Sequence, residues 1–394
     1  MWIKRTITAE IKKLVSQFPI IVITGSRQVG KTSLLEKNFP DYTYISLDYP
    51  QLAETAETRP DYFLSAYPPP LIIDEIQYAP KLMRYLKVKV DSLKTKGLYI
   101  LTGSQSFSLM QSITESLAGR AAIIQLYGLS SQEWCAHDAI RQRFTNDDFL
   151  WRGSYPGLWS DINSPVSRNR WYESYIATYI ERDVRNLMNI GKLRDFERFI
   201  RACAARTGQL LNMSEIGRDV GISATTAREW ISILAASNII YLLEPYYRSL
   251  GKRLIKSPKL YFPDTGLALF LNGFETINQL WLSPAAGAFW ENHVISQWLR
   301  WKQWTSSPAT LWFWQDQQKN EVDLLIDVNQ KLYPIECKLK ENPGKKDIRG
   351  IKKISNIYGE QNIAQAYIAC RTSSPFLISE NIMAVNGFSV WDLY

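Results

Sequence analysis

Cysteine is scarce in this chain of 394 residues. Cys135, Cys203, Cys337 and Cys370 lie far apart, with no paired spacing for a zinc site or a disulfide framework. Histidine is scarcer, with only His137 and His293, so a metal held by side chains must rest on carboxylates. No run of roughly 18 apolar residues occurs, so no membrane span is expected. Lys4 and Arg5 are followed by no apolar stretch of the kind a secretory leader needs, and the expected location is cytoplasmic with no membrane partner. Negative charge is in deficit as well: 38 Asp and Glu stand against 46 Lys and Arg, a net charge of +8. That balance permits an acidic partner such as nucleic acid without demonstrating one.

What is present is more telling. A hydrophobic content of 46% is ample for buried cores, and the length suits two to three domains. Residues 20–33 read IIVITGSRQVGKTS, in which Gly25, Gly30, Lys31 and Thr32 match G-x-x-x-x-G-K-[ST]. Ser26, Arg27, Gln28 and Val29 fill the loop, and Ser33 follows it. A β-branched run, Ile20 to Ile23, precedes the loop, and a helix-like run, Thr32 to Lys37, follows it. The glycines let the backbone turn so that its N–H groups face a phosphate chain. Lys31 would reach the β- and γ-phosphates, Thr32 would hold Mg²⁺, and the helix N-terminus adds its positive dipole end. The chain is expected to bind a nucleoside triphosphate.

A second motif bears on what happens to that nucleotide. Pro70 to Glu75 (PLIIDE) is a short apolar strand ending in two adjacent carboxylates. Asp74 suits the Mg²⁺ shell, and Glu75 suits a base that orients the attacking water. Leu98 to Thr102 is another buried strand, after which Ser104 is placed to touch the γ-phosphate or the lytic water. Ser108 to Gly119 reads as a helix closed by Arg120, before an apolar strand from Ala121 to Leu126. Arg120 stands where an arginine finger would project into a neighbouring subunit of a homo-oligomer; a surface arginine fits the same position.

In this order, residues 1–130 resemble the AAA+ or wider ASCE group of P-loop ATPases. The whole chain resembles prokaryotic ATPases that join such a module to a C-terminal domain of unknown function. GSRQVGKTS, DEIQ, Leu117-Ala118-Gly119-Arg120, Tyr179-Ile180-Glu181-Arg182-Asp183, and the C-terminal Glu-Val-Asp and Ile-Glu-Cys-Lys segments carry the likeness. It implies ATP and Mg²⁺ as cofactors.

The middle third has helical spacing over Trp171 to Leu187 and Leu193 to Thr207. Arg182 fits either a second sensor of the nucleotide or a structural ion pair. Met213 to Val220, the turn Gly221-Ile222-Ser223 and Ala224 to Ser237 predict a helix–turn–helix, with Ser214 and Ser223 at the N-caps. Ile239 to Leu243 and Lys259 to Phe262 supply a wing-like hairpin. Thr225, Thr226, Arg228 and Glu229 then lie where a recognition helix meets a major groove, although such modules also serve as lids or protein contacts.

In the last hundred residues a helix, Ala288 to Trp304, carries Glu291. Strands follow over Leu311 to Gln315, Glu321 to Val328 and Lys331 to Lys340, with a turn at Asn329-Gln330. Asp323 sits on one strand and Glu336-Cys337-Lys338 on its neighbour, with Glu336 and Lys338 on one face. The arrangement resembles the PD-(D/E)xK nuclease core. That likeness implies that Asp323 and Glu336, with Glu291, bind Mg²⁺ while Lys338 activates water. A silent charge cluster in the same fold is the alternative. The tryptophans Trp281, Trp290, Trp298, Trp301, Trp304, Trp312 and Trp314 fit core packing better than base stacking. The basic groups Arg248 to Lys259 and Lys338 to Lys353 read first as solvated surface.

The expected architecture is a multidomain α/β chain. An AAA+-like P-loop ATPase with a parallel sheet (1–150) leads to a helical and winged-helix region (151–270), then to a restriction-endonuclease-like α/β domain (271–394). The expected activity is ATP hydrolysis coupled to nucleic acid, DNA favoured, with Mg²⁺-dependent cleavage at the C-terminal centre. The alternative is an ATP-dependent switch that binds protein partners.

Overall fold

The computed structural model describes residues 2–103, 116–161, 167–180, 193–246, 257–305 and 307–389. Five strands, β1 (Ile20–Thr24), β2 (Thr43–Ser46), β3 (Leu71–Asp74), β4 (Tyr99–Gly103) and β5 (Ala121–Gln125), form a parallel sheet in the order β2-β3-β4-β1-β5. β1, β3 and β4 are buried along their whole length, as strands covered on both faces must be, which is why they appear as continuous apolar runs. β1 lies between β4 and β5, so its C-terminal end opens on the crevice where the chain order reverses. A helix over Thr8–Gln17 precedes β1. Residues before it are pinned elsewhere: the Thr6 amide donates to Glu133 Oε1 at 2.7 Å.

In the middle region, helices Leu193–Ala204, Met213–Val220 and Ala224–Ala236 pack in succession. Gly221 closes the second helix in the left-handed region at φ 84°, which glycine adopts without a Cβ penalty. Ser223 caps the third helix as expected. Asn212, not Ser214, caps the second, because Asn212 stands three residues before Glu215 and its side chain accepts from that amide. The helix anticipated from Trp171 is described as Arg168–Tyr175 followed by a wider turn over Ile176–Ile180; the rest of that segment, with Arg182, lies outside the described residues. β6 (Tyr241–Leu243) and β7 (Lys259–Tyr261) pair antiparallel.

The C-terminal region holds helix Ala286–Thr305 against a six-stranded mixed sheet, β12-β13-β11-β10-β9-β8. Its strands are β8 (Thr310–Gln315), β9 (Glu321–Val328), β10 (Lys331–Cys337), β11 (Ala366–Cys370), β12 (Phe376–Ser379) and β13 (Ile382–Asn386). The β9–β10 turn falls at Asn329 and Gln330, both at positive φ, as a tight hairpin requires. β10 ends at Cys337 rather than running to Lys340.

One apolar core runs from Ile3 under the parallel sheet, through the middle helices, to Trp290, Trp298 and Trp301 of the long helix. These tryptophans are buried and act as packing, not as exposed stacking platforms. The opposite face of the parallel sheet has its own core around Phe63, Leu82 and Leu86.

Candidate functional site

The loop after β1 is built by two glycines with different reasons to be glycine. A Cβ on Gly25 would lie 2.2 Å from the Leu126 carbonyl oxygen, so backbone approach forbids any side chain there. Gly30 sits at φ 91° as the residue before helix Lys31–Asn38. Val29 is buried beneath the loop, and Arg5 props it from below. The Arg5 guanidinium donates to Val29 O at 2.9 Å, to Tyr127 O at 2.7 Å and to Glu133 Oε2 at 3.2 Å.

Lys31 is folded over the loop, its ammonium donating to the carbonyls of Gly25 (3.0 Å) and Ser26 (3.1 Å). Thr32 Oγ1 donates to Asp74 Oδ2 at 2.8 Å, bringing the first turn of the helix to the end of β3. Two further hydroxyls donate to the same carboxylate, Thr102 from β4 and Tyr44 from β2. Burial and the neighbouring Asp74 carboxylate push the Tyr44 pKa up, so this hydroxyl stays a donor. Glu75 follows at φ 56°, a left-handed conformation uncommon for a residue with a side chain, and accepts from Gln77. The donor set, a hydroxyl and a carboxylate oxygen beside a phosphate-binding loop, fits a hard, oxygen-seeking cation such as Mg²⁺.

Lys31, Thr32 and Glu75, with Arg27, Gln28, Gly30 and Ser33, line an open cleft of about 520 Å³. Its other wall is made by Trp2, Ile3, Leu129, Pro156 and Trp159. These positions carry no periodic or motif signal, so only the fold reveals them. Ser104 lies outside the described residues. Arg120 lies at the far end of the sheet: its carbonyl accepts from the Ile20 amide, where β1 begins. A five-residue strand separates it from the loop by roughly 16 Å. Its guanidinium grips Asp91 through two bonds, 2.6 and 2.9 Å. Within one chain it does not meet the cleft.

A second cluster forms at the C-terminal sheet. The β9–β10 register sets Asp323 beside Glu336, and Asp323 Oδ2 accepts from the Cys337 amide at 2.7 Å. Lys338 Nζ donates to Glu336 Oε1 at 3.0 Å and lies 4.0 Å from Asp323. Glu291, from the long helix, joins them. Two members were not anticipated. Glu321, at the start of β9, stands with Glu291 and Asp323 in a group whose oxygens lie within 4.8 Å of one another. Lys259, from β7, places its ammonium among these three carboxylates, 3.0 Å from Glu291, in contact with Glu321 and 4.0 Å from Asp323. The triad anticipated as metal ligands was Glu291, Asp323 and Glu336; the close group instead contains Glu321, and Glu336 pairs with Lys338. Removal from water, together with Asp323 and Glu321, raises the Glu291 pKa to about 7, although Lys259 opposes this. Burial and Asp323 also hold the Glu336 carboxyl well above the usual carboxylate range. Carboxylate spacing suits a cation, but the position such an ion would take is filled by the chain's own ammonium.

On the helix–turn–helix, Thr225, Arg228 and Glu229 are exposed and Thr226 is half-buried. Of the basic segment 248–259, Arg248, Lys252, Arg253 and Lys256 lie outside the described residues, and Lys259 is interior rather than solvated.

Residues 17–135 match a family described as an AAA domain. Residues 143–278 and 286–388 match two domains of unknown function, DUF8612 and DUF4143. The uncharacterized protein Rv2008c of Mycobacterium tuberculosis is 30% identical over 347 residues, covering 86% of this chain and 75% of its own length. The uncharacterized protein Mb2031c of Mycobacterium bovis matches to the same extent. Among solved structures, a Walker-type ATPase of Pyrococcus abyssi shows 17% identity and a TM-score of 0.38, over 67% of this chain and 94% of that one. AMPPCP-bound DnaA of Aquifex aeolicus shows 13% identity and a TM-score of 0.29, over 57% and 84%.

Proposed function

Since the chain belongs to one family with Rv2008c of Mycobacterium tuberculosis and carries an AAA-type ATPase domain, we propose that it turns over ATP at the β1 loop and couples that turnover to nucleic acid. The observation that carries the first half is the Thr32–Asp74 hydrogen bond of 2.8 Å, formed beside Lys31 and Glu75 at one cleft. In this reading Lys31 exchanges the Gly25 and Ser26 carbonyls for the nucleotide's phosphates, which the backbone amides from Gly25 to Ser33 also receive. Thr32 and Asp74 would hold Mg²⁺, which when bound would supply positive charge to the phosphates. Glu75, turned toward the cleft by its left-handed backbone and held by Gln77, orients the attacking water. In this reading Arg120 would serve a neighbouring subunit's site, and Ser104, outside the described residues, would contact the γ-phosphate or the lytic water.

The second half rests on the exposed face of helix Ala224–Ala236, read as the recognition helix of a winged-helix module with β6–β7 as its wing. In the same reading the division into 1–150, 151–270 and 271–394 is kept. The C-terminal carboxylates are read as a nuclease-like centre in which Glu291 and Asp323, with Glu321 in the close group, would hold the metal, and Glu336 and Lys338 stand beside them. The presence of Lys259 among those carboxylates favours a second reading, a protein-binding ATP switch with a silent C-terminal centre. ATP turnover and plasmid integrity, measured together with Mg²⁺ or Mn²⁺, separate the two. DNA-stimulated turnover is expected; turnover indifferent to DNA and RNA, with plasmid intact, leaves the switch.

A further inference from the structure

Lys259 does not belong to the element that builds the carboxylate cluster. It projects from β7, the second strand of a hairpin of three-residue strands whose partner is β6, while the acids come from helix Ala286–Thr305 and strands β9 and β10 of the C-terminal sheet. Its side chain crosses between regions and is only 3% exposed. Buried ammonium groups are rare unless paired, and this one meets Glu291, Glu321 and Asp323 at once.

Three oxygens within 4.8 Å of one another are spaced for a single ion of hard character, since each lies about 2.0–2.6 Å from such an ion when bound. An independent sign of a missing ligand comes from Glu336. This residue is 8% exposed, and among the described residues its Oε2 atom is buried with no hydrogen-bond partner. Two ammonium groups, Lys259 and Lys338, face four carboxylates, Glu291, Glu321, Asp323 and Glu336.

We propose that Lys259 is the resident cation of this pocket, a plug, and that a divalent metal binds there only in exchange for its ammonium. The inference rests on the carboxylates being a metal site, as read above. The plug holds because pulling one charge out of a buried ion-paired group leaves its partners uncompensated. Metal entry and ammonium exit are therefore one exchange, not two independent events.

The test is a Mn²⁺ titration of the full chain without nucleotide, followed by the electron paramagnetic resonance signal of free Mn²⁺. Four proteins are compared: wild type, Asp323→Asn, Lys259→Met, and Lys259→Met combined with Asp323→Asn. Lys259→Met should gain one Mn²⁺ per chain, bound about tenfold or more tightly than by wild type. The gain should vanish in the combined variant. If wild type binds Mn²⁺ as tightly as Lys259→Met, and Asp323→Asn abolishes it, the plug is refuted while the metal site stands. If no variant binds Mn²⁺, both fall. Should Lys259→Met fold poorly in metal-free buffer, thermal melting decides. Mn²⁺ must raise its melting temperature and leave the combined variant unmoved; the absence of such rescue overturns the proposal.

Discussion

Two lysines, Lys31 and Lys259, are both buried, 7% and 3% exposed, and both anchor a candidate site, but they keep different company. Lys31 donates to two backbone carbonyls of its own loop; Lys259 is surrounded by three carboxylates. A carbonyl is only a dipole, and an arriving polyphosphate displaces it from an ammonium group because it offers full negative charge as well as acceptor oxygens. A carboxylate already has that advantage, so an anion has nothing to offer Lys259. Only another cation can take its place. The same side chain thus marks an anion site poised to load at one end of the molecule, and a cation site already filled at the other.

The comparison can be broken most severely at Glu75. Glu75→Gln should lower ATP turnover by about 10²–10⁴-fold while bound ATP is retained, because the Mg²⁺ and phosphate contacts survive and only the base is lost. Turnover at the wild-type rate, in a single-turnover assay, would remove Glu75 from that role. Next in size is the carboxylate pocket. Lys259→Met in metal-free buffer should destabilise the chain by about 3–5 kcal/mol in denaturant unfolding, since the buried Asp323 and the half-buried Glu291 and Glu321 lose their partner. A loss below roughly 1 kcal/mol would mean that the ammonium is not what holds them. Lys31→Ala should be milder in stability and specific in binding. ATP affinity should fall about tenfold to a hundredfold, the loss of a charged hydrogen-bonding group, with melting of the nucleotide-free chain little changed because only dipoles are left behind.

The smallest effects belong to Arg120. Its pair with Asp91 is exposed, so Asp91→Asn should leave the melting temperature unchanged. If Arg120 acts on a neighbour, turnover per subunit should rise with protein concentration. Mixing Arg120→Ala with Lys31→Ala chains should then restore part of the activity that each lacks alone. Turnover independent of concentration in a clean monomer would leave Arg120 as a surface ion pair.

The nucleotide loop was legible because its chemistry is local. Gly25 to Thr32 carry their spacing in one short run, and β1 and β3 appear as the apolar strands that buried parallel sheets require. Tyr44 and Thr102, which hold Asp74 in place, are scattered over two other strands, and nothing in their neighbours' sequence marks them. The apolar wall of Trp2, Leu129 and Trp159 is likewise assembled only by folding. At the C-terminal end, β9 and β10 were legible from their hairpin turn and alternation, and Asp323, Glu336 and Lys338 from a short motif. Lys259 was not. It reads as one of a run of surface lysines, and its burial depends on acids more than thirty residues further along the chain. Local pattern finds residues that work with their neighbours; it cannot find a residue whose partner comes from another element.

One measurement bears on the contrast most directly: Mn²⁺ bound per wild-type chain, with and without a non-hydrolysable ATP analogue. The account predicts a single Mn²⁺ that appears only with nucleotide and is lost in Thr32→Ala. Mn²⁺ that binds tightly without nucleotide, and is lost in Asp323→Asn, would contradict it.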